Sequence, residues 1–316
     1  MTQRLRGFLL GLALCLPALP GAAQLLEVKV GIVPSQASAP YVEATQALVS
    51  RLASQGVPRD ELEIWSPAEL AALPVARLSG VKVWVALGTE AATALAQVQH
   101  KVPVLNALLP RSSFERVLRA SGRRASARFN LLQLDQPVPR QLALIRLALP
   151  KARRLGVLWG PDSLPKAPVL RSLASSQGLA LQEARLDEGT SLFAALQSVL
   201  DSSDVLLAFA DPLVFNSSSI QNILMTTIRA QVPLVAFSPA YVRAGALLAV
   251  YSTPTQVGTQ SARWVLGVLA NQALPEQPLE PDDFEIGVNA QVASALGLSL
   301  DAKVLHQALK RQEQQP

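Results

Sequence analysis

The side chains that could do chemistry in this sequence gather behind two apolar runs. Val205-Leu-Leu-Ala-Phe-Ala210 empties into Asp211-Pro-Leu-Val-Phe215-Asn216 and three serines, and Pro233-Leu-Val-Ala-Phe237 empties into Ser238-Pro-Ala-Tyr241. Both runs have the look of buried strands, and in a parallel α/β sheet ligands bind at the ends of such strands. A carboxylate, an amide, several hydroxyls and two aromatic rings would meet at one edge. Asp211 is placed there as a contact for a cationic amine. Asp and Ser are also favoured helix N-caps, and any one of these residues alone reads most simply as a cap. Their convergence at adjacent strand ends is what points to a pocket.

A third strand end carries Gly88-Thr89-Glu90, directly before a helical run. Glycine lets a ligand approach the backbone, and a Thr89 cap would leave N–H groups facing outward for an anion. A plain helix start explains the same residues equally well. Aromatic residues make up 5% of the chain, so their placement matters. Trp159, Phe215, Tyr241 and Tyr251 fall at strand edges, where rings could stack on a ligand. Core packing is the competing assignment for Trp159 and Phe215, whereas Tyr241 is placed at the rim.

The sequence has no nucleophile elbow, phosphate-binding loop, dinucleotide fingerprint or zinc-protease motif. His100 and His306 stand apart, each without an acidic neighbour, and read as surface residues. The acid pairs Asp187-Glu188 and Asp282-Asp283 sit in turn-like segments as solvated charges. The chain is therefore read as a non-enzyme with no metal and no cofactor.

Arg4 and Arg6, an apolar run over residues 8–16 and small residues at 21–23 have the order of a secretory signal peptide. Cleavage is expected after Ala23, and the run is shorter than the roughly 20 residues a spanning helix needs. The lone cysteine, Cys15, would leave with it, so no disulfide, thiolate ligand or cysteine nucleophile is expected. The net charge of +5 would fall by two, too little to suggest nucleic acid. Arg116, Arg119, Arg123, Arg124 and Arg128 read as a solvated basic face.

Strand-like and helical runs alternate along nearly the whole chain, the pattern of parallel sheets covered by helices. Two such series meet near Asp135 without a flexible linker, which predicts two lobes joined by short hinge strands. After the final strand and helix a polar tail is expected to fray.

Several segments, in order, resemble the ABC transporter substrate-binding protein family, whose type I periplasmic-binding fold serves aromatic amino-acid binders among others. They include Leu87-Gly-Thr-Glu-Ala-Ala92, Gln141-Leu-Ala-Leu-Ile-Arg-Leu-Ala-Leu-Pro150, Asp204-Val-Leu-Leu-Ala-Phe-Ala-Asp211, Val232-Pro-Leu-Val-Ala-Phe237 and Gln256-Val-Gly-Thr-Gln260. At the first crossing, where the family carries Asn-x-Thr-Gly, this chain has Ala127-Arg-Phe-Asn130-Leu-Leu-Gln-Leu-Asp135. The resemblance implies two Rossmann-like α/β lobes with parallel sheets and a three-crossing hinge. Residues 24–134 with about 250–280 would form the first lobe, and 135–249 with about 281–316 the second. It also implies a small organic solute, such as an amino acid or similar zwitterion, held between Thr89 and Asp211. The membrane permease of an ABC importer would be the partner and the periplasm the location. The alternative is a periplasmic module that reports to a membrane receptor, a sensor kinase or an outer-membrane importer.

Overall fold

The computed structural model describes residues 29–98 and 101–314. The expected signal peptide with its Ala23 site, Cys15 and His100 lie outside these residues. Strands β1 (Val30–Pro34), β2 (Leu62–Ile64), β3 (Val83–Leu87), β4 (Val104–Leu109) and β5 (Phe129–Gln133) form a parallel sheet in the order β2-β1-β3-β4-β5. Strands β6 (Arg154–Trp159), β7 (Ala180–Arg185), β8 (Val205–Leu207), β9 (Leu234–Ala236), β10 (Leu248–Tyr251) and β11 (Glu285–Val288) form a second, ordered β11-β10-β9-β8-β6-β7.

Between the strands of the first sheet run α1 (Ala39–Ser54), α2 (Pro67–Ala72), α3 (Val75–Gly80), α4 (Thr89–Gln97) and α5 (Arg111–Ser121). The second is served by α6 (Val138–Ala148), α7 (Ala167–Ser176), α8 (Leu192–Leu200), α9 (Ile220–Arg229) and α10 (Pro239–Ala244). The chain continues through α11 (Pro254–Leu269), α12 (Ala290–Ala295) and α13 (Ala302–Glu313).

Both faces of each sheet are buried, which is why the strands read as continuous apolar runs. On β3, Val83, Val85 and Leu87 pack with Leu48 and Leu52 of α1 and with Val257 and Val265 of α11. Trp84 and Ala86, pointing the other way by the two-residue period, pack with Trp65, Leu95 and Phe114. The second sheet repeats the plan: Leu155, Val157 and Trp159 share one core with Leu142 and Leu170, while Leu158, Leu206 and Leu234 share another with Val199 and Ile223.

Three expectations change in this part of the chain. Strand β11 is antiparallel to β10. It enters from the hinge, the side to which its neighbours deliver their C-terminal ends, so it must run the other way. The tail does not fray: Asp301 caps α13 through Val304 N, and Leu305 and Leu309, one turn apart, are buried against α6 and β11. His306 is half-buried rather than on the surface, its ring 5.0 Å from that of Phe284.

The connections at 134–137, 252–253 and 270–284 link the two sheets. Arg140, buried on α6, ties the first to the third, and Gln136 adds the second. Its Nη1 donates to Gln136 Oε1 at 2.8 Å and to Pro281 O at 2.9 Å, its other nitrogens pair with Glu313, and its guanidinium lies 4.5 Å over the Phe284 ring. Gln136 Nε2 donates to Ser252 Oγ, which donates to Asp283 O. From the first sheet, Gln260 grips Glu280 O and Asp282 N. Asn130 Nδ2 donates to Gln277 O at 2.8 Å and to Pro275 O, and Leu279 bridges to Leu132, which staples the third crossing to β5. Asp282 pairs with Arg263 and Asp283 with Lys310, which makes this acid pair part of the hinge rather than free loop charge.

Asp204 pins β6 to β8, accepting from Arg153 N, Arg154 N and the Arg154 guanidinium. Burial acts to raise its pKa, but these hydrogen bonds outweigh burial and hold the carboxyl below its ordinary value. A depressed carboxyl contributes stability that is complete above the unfolded-chain value of about 3.9 and lost as pH falls through the folded one. Urea unfolding of Asp204→Asn over a pH series should show lower stability at neutral pH and a shallower decline below pH ~4. An acid limb as steep as that of the unsubstituted protein would contradict this role.

Candidate functional site

The wall contributed by the first sheet is built on Gly88, which has φ +93° and ψ 175°. A Cβ there would lie 2.6 Å from both Ser35 Oγ and Tyr41 Cε1. Thr89 does not cap α4 as expected; it is the first helical residue and is exposed. Ser35, just beyond β1, supplies the cap, its Oγ accepting from Ala91 N at 3.0 Å. Because the cap comes from another strand, the spacing around Thr89 could not reveal it. The Tyr41 phenol is raised by burial and by the nearby charge of Glu90.

In the second sheet several expected ligand contacts turn inward. Asp211 is 2% exposed, and its carboxylate accepts from Ser163 N and Ser163 Oγ, both at 2.8 Å, and from Leu213 N at 3.0 Å. It sits so close to Gly160 that a Cβ there would lie 2.3 Å from Oδ1. Three donors and complete burial make Asp211 the organiser of two loops. Trp159 is stacked on Phe209 at 5.1 Å, with Nε1 donating to Glu183, and is a core residue. Asn216 folds its own loop, accepting from Ser218 N and Ser219 N and donating to Pro212 O.

Phe215 is buried, edge-on to Phe237 and Tyr241, and Tyr241 OH donates to Phe215 O at 3.2 Å. Burial raises the phenol of Tyr241. Tyr251, half-buried at the end of β10, pairs with Glu285 across the ladder; burial and then that carboxylate raise its phenol.

Between the hinge and the strand ends of the second sheet lies a cavity of about 200 Å³. Phe209, Ala210, Phe237 and Ser238 form its second-sheet side; Pro110, Leu134, Asp135, Gln136 and Gln141 complete it. Ser238 is the one expected site residue that lines it. Asp211, Trp159, Phe215, Asn216, Tyr241, Tyr251, Gly88 and Thr89 do not. A second cavity of about 380 Å³ shares Asp135 and Gln136 and adds Gln133, Lys166, Arg111 and Glu280. The two make one recess, apolar at one end and charged at the other.

Salt links fasten its flank. Arg116 of α5 pairs with Asp162 beyond β6, and Lys166 with Asp135. Arg123 donates to Ala96 O and Val98 O at the end of α4, so the arginine cluster is partly structural rather than wholly solvated. Cavities of about 340 and 440 Å³ by Gln231, Pro233 and Leu296 lie where strands β8 and β9 begin, the end opposite to that used by ligands in such sheets. Among the described residues no cluster of His, Cys, Asp and Glu could hold a metal ion, and no helix is long and apolar enough to cross a membrane.

The family model described as ABC transporter substrate binding protein matches residues 72–312 of this chain. No curated protein matches it. Among solved structures, a ligand-free, open substrate binding protein with adhesive properties from Clostridium difficile is 19% identical, with 87% of this chain and 96% of that one covered and a TM-score of 0.68. A conserved domain protein from Vibrio cholerae is 21% identical over 88% and 97%, with a TM-score of 0.59. An ABC domain in complex with L-Trp from Streptococcus pneumonia is 16% identical over 88% and 97%, also with a TM-score of 0.59. At these identities the likeness is one of fold, two hinged and mostly parallel α/β sheets of the type I periplasmic-binding kind.

Proposed function

We infer the function from one premise, that the chain belongs to the ABC transporter substrate binding protein family: it captures a small organic solute between its two sheets and delivers it to an ABC importer. As a member of that family it is a solute-binding protein and not an enzyme. The observation that carries the finer reading is the recess at the second-sheet strand ends, bounded by two phenylalanines and by the first crossing. Ser238 begins α10 without bonding its helix, which leaves its hydroxyl for a solute.

In this reading residues 24–134 with about 250–280 close as one lobe on the remainder as the other. Phe237 and Ser238 hold the solute from the second lobe, and Gly88 and Thr89 of the first, which lie off the recess, come up to it when the lobes close. The solute is an amino acid or similar zwitterion, in keeping with the L-Trp named for one structural neighbour. The chain is exported by its N-terminal segment, works in the periplasm and docks on a membrane permease.

Native mass spectrometry of the purified protein, followed by thermal shift and small-angle scattering across an amino-acid and metabolite panel, tests this. A solute at a hundred times its Kd should add about 2.7 kcal/mol of stability, and scattering should show a more compact molecule. A panel that neither raises the melting temperature nor compacts the protein would sink solute capture.

A further inference from the structure

The charged end of the recess is occupied by the chain's own ammonium group. Lys166 Nζ donates to Asp135 Oδ1, with the two side chains 18% and 6% exposed. The same nitrogen stands 5.7 Å from the centroid of the Phe209 ring. The other Asp135 oxygen accepts from Arg111 N at 2.7 Å, which fixes the carboxylate and leaves one oxygen for a cation. Gln133 lines the same cavity, is 7% exposed, and its Oε1 has no donor.

A carboxylate oxygen and an aromatic ring beside the Lys166 ammonium, with an amide oxygen lacking a donor on a residue that lines the same cavity as the pair, are the complement of a primary ammonium, which has three N–H groups and a charge that rings attract. A lysine meets this specification on a four-carbon tether. A buried acceptor without a donor carries an uncompensated desolvation cost, which an incoming N–H would relieve.

We propose that Asp135, Gln133 and Phe209 form the ammonium subsite of the solute recess, and that Lys166 occupies it as a tethered stand-in which an amine-bearing solute displaces. The subsite rests on the solute-capture reading and gives it a chemical class, a primary amine with a small apolar body that fits beside Phe209 and Phe237. It replaces Asp211 as the partner of the solute amine, since the Asp211 carboxylate is committed to Ser163 and Leu213. Asp135 stands in the first crossing, so the occupant of the subsite touches the hinge itself.

Three probes with one body and different charges test the subsite: phenethylamine, L-phenylalanine and 3-phenylpropionate, titrated calorimetrically into the mature protein. Lys166→Met keeps the apolar stem and removes the competitor. It should bind phenethylamine and L-phenylalanine at least about ten-fold more tightly than the unsubstituted protein. Adding Asp135→Asn to it should reverse that gain, and this double variant buries no unpaired charge, so it guards against loss of fold. Melting curves of each variant confirm folding. Binding of 3-phenylpropionate should stay within about three-fold throughout.

If Lys166→Met leaves the amines unchanged while 3-phenylpropionate binds as well as they do, the subsite is overturned and solute capture stands. If no probe binds any of the folded proteins, the subsite falls, and the capture reading stands or falls on the metabolite panel.

Discussion

Replacing Arg140 by methionine is expected to remove about 3 kcal/mol of stability, because breaking a buried charge pair by deleting one partner costs roughly 3–5 kcal/mol. The lower end applies because Glu313 is 31% exposed and water can take it up. Gln136 Oε1 and Pro281 O have no such recourse, since the guanidinium that reaches both is itself buried. Arg140→Lys keeps the charge and loses the planar fork, so it should recover only part of the loss. Glu313→Gln should cost less than either. Chemical denaturation of the three variants gives the order; an Arg140→Met protein within about 1 kcal/mol of the unsubstituted one would show that the crossings are held by other contacts.

Gly88→Ala is expected to cost a similar amount by another route. The φ and ψ of Gly88 lie in a region essentially reserved for glycine, and strain of that kind costs about 1–3 kcal/mol. The new methyl must also push aside Ser35 and Tyr41, and overpacking adds about 1–3 kcal/mol. A total near 3 kcal/mol follows, with Ser35 forced away from the α4 terminus. Thr89→Ala, one residue on and exposed, should stay within ~0.5 kcal/mol. Thermal unfolding of the two side by side is decisive: equal losses would mean that the turn tolerates a side chain.

The alternation of strand and helix was legible in the sequence because strands buried on both faces leave long apolar runs. The strand ends beside which the recess lies were legible too, since they can be read from where those runs stop. The roles of individual side chains were harder. Asp211 and Asp135 both follow a strand, yet one is consumed by Ser163, which lies 48 residues earlier, and the other pairs with Lys166, which lies 31 residues later. Nothing local distinguishes them. Phe209 and Phe237 close apolar runs and look like core, although they also face the recess. Helix α13 was missed because its apolar stripe is only two buried leucines deep, and its strongest tie, Glu313 to Arg140, is to a helix far away in sequence.

Helix α11 completes the face of α1, although nearly the whole of the second sheet is encoded between them. Ala44, Leu48 and Leu52 are fully buried and reach that state only when Val257, Ala262 and Val265 arrive. During synthesis, then, the lobe that is begun first cannot close when its five strands are made. Its apolar face stays open to chaperones until about four-fifths of the chain exists, and loop closure over such a separation makes folding slow. Each lobe thus waits for a segment made long after its first strands: α11 completes the first, and Phe284, Ile286, Leu305 and Leu309, made later still, complete the core of the second.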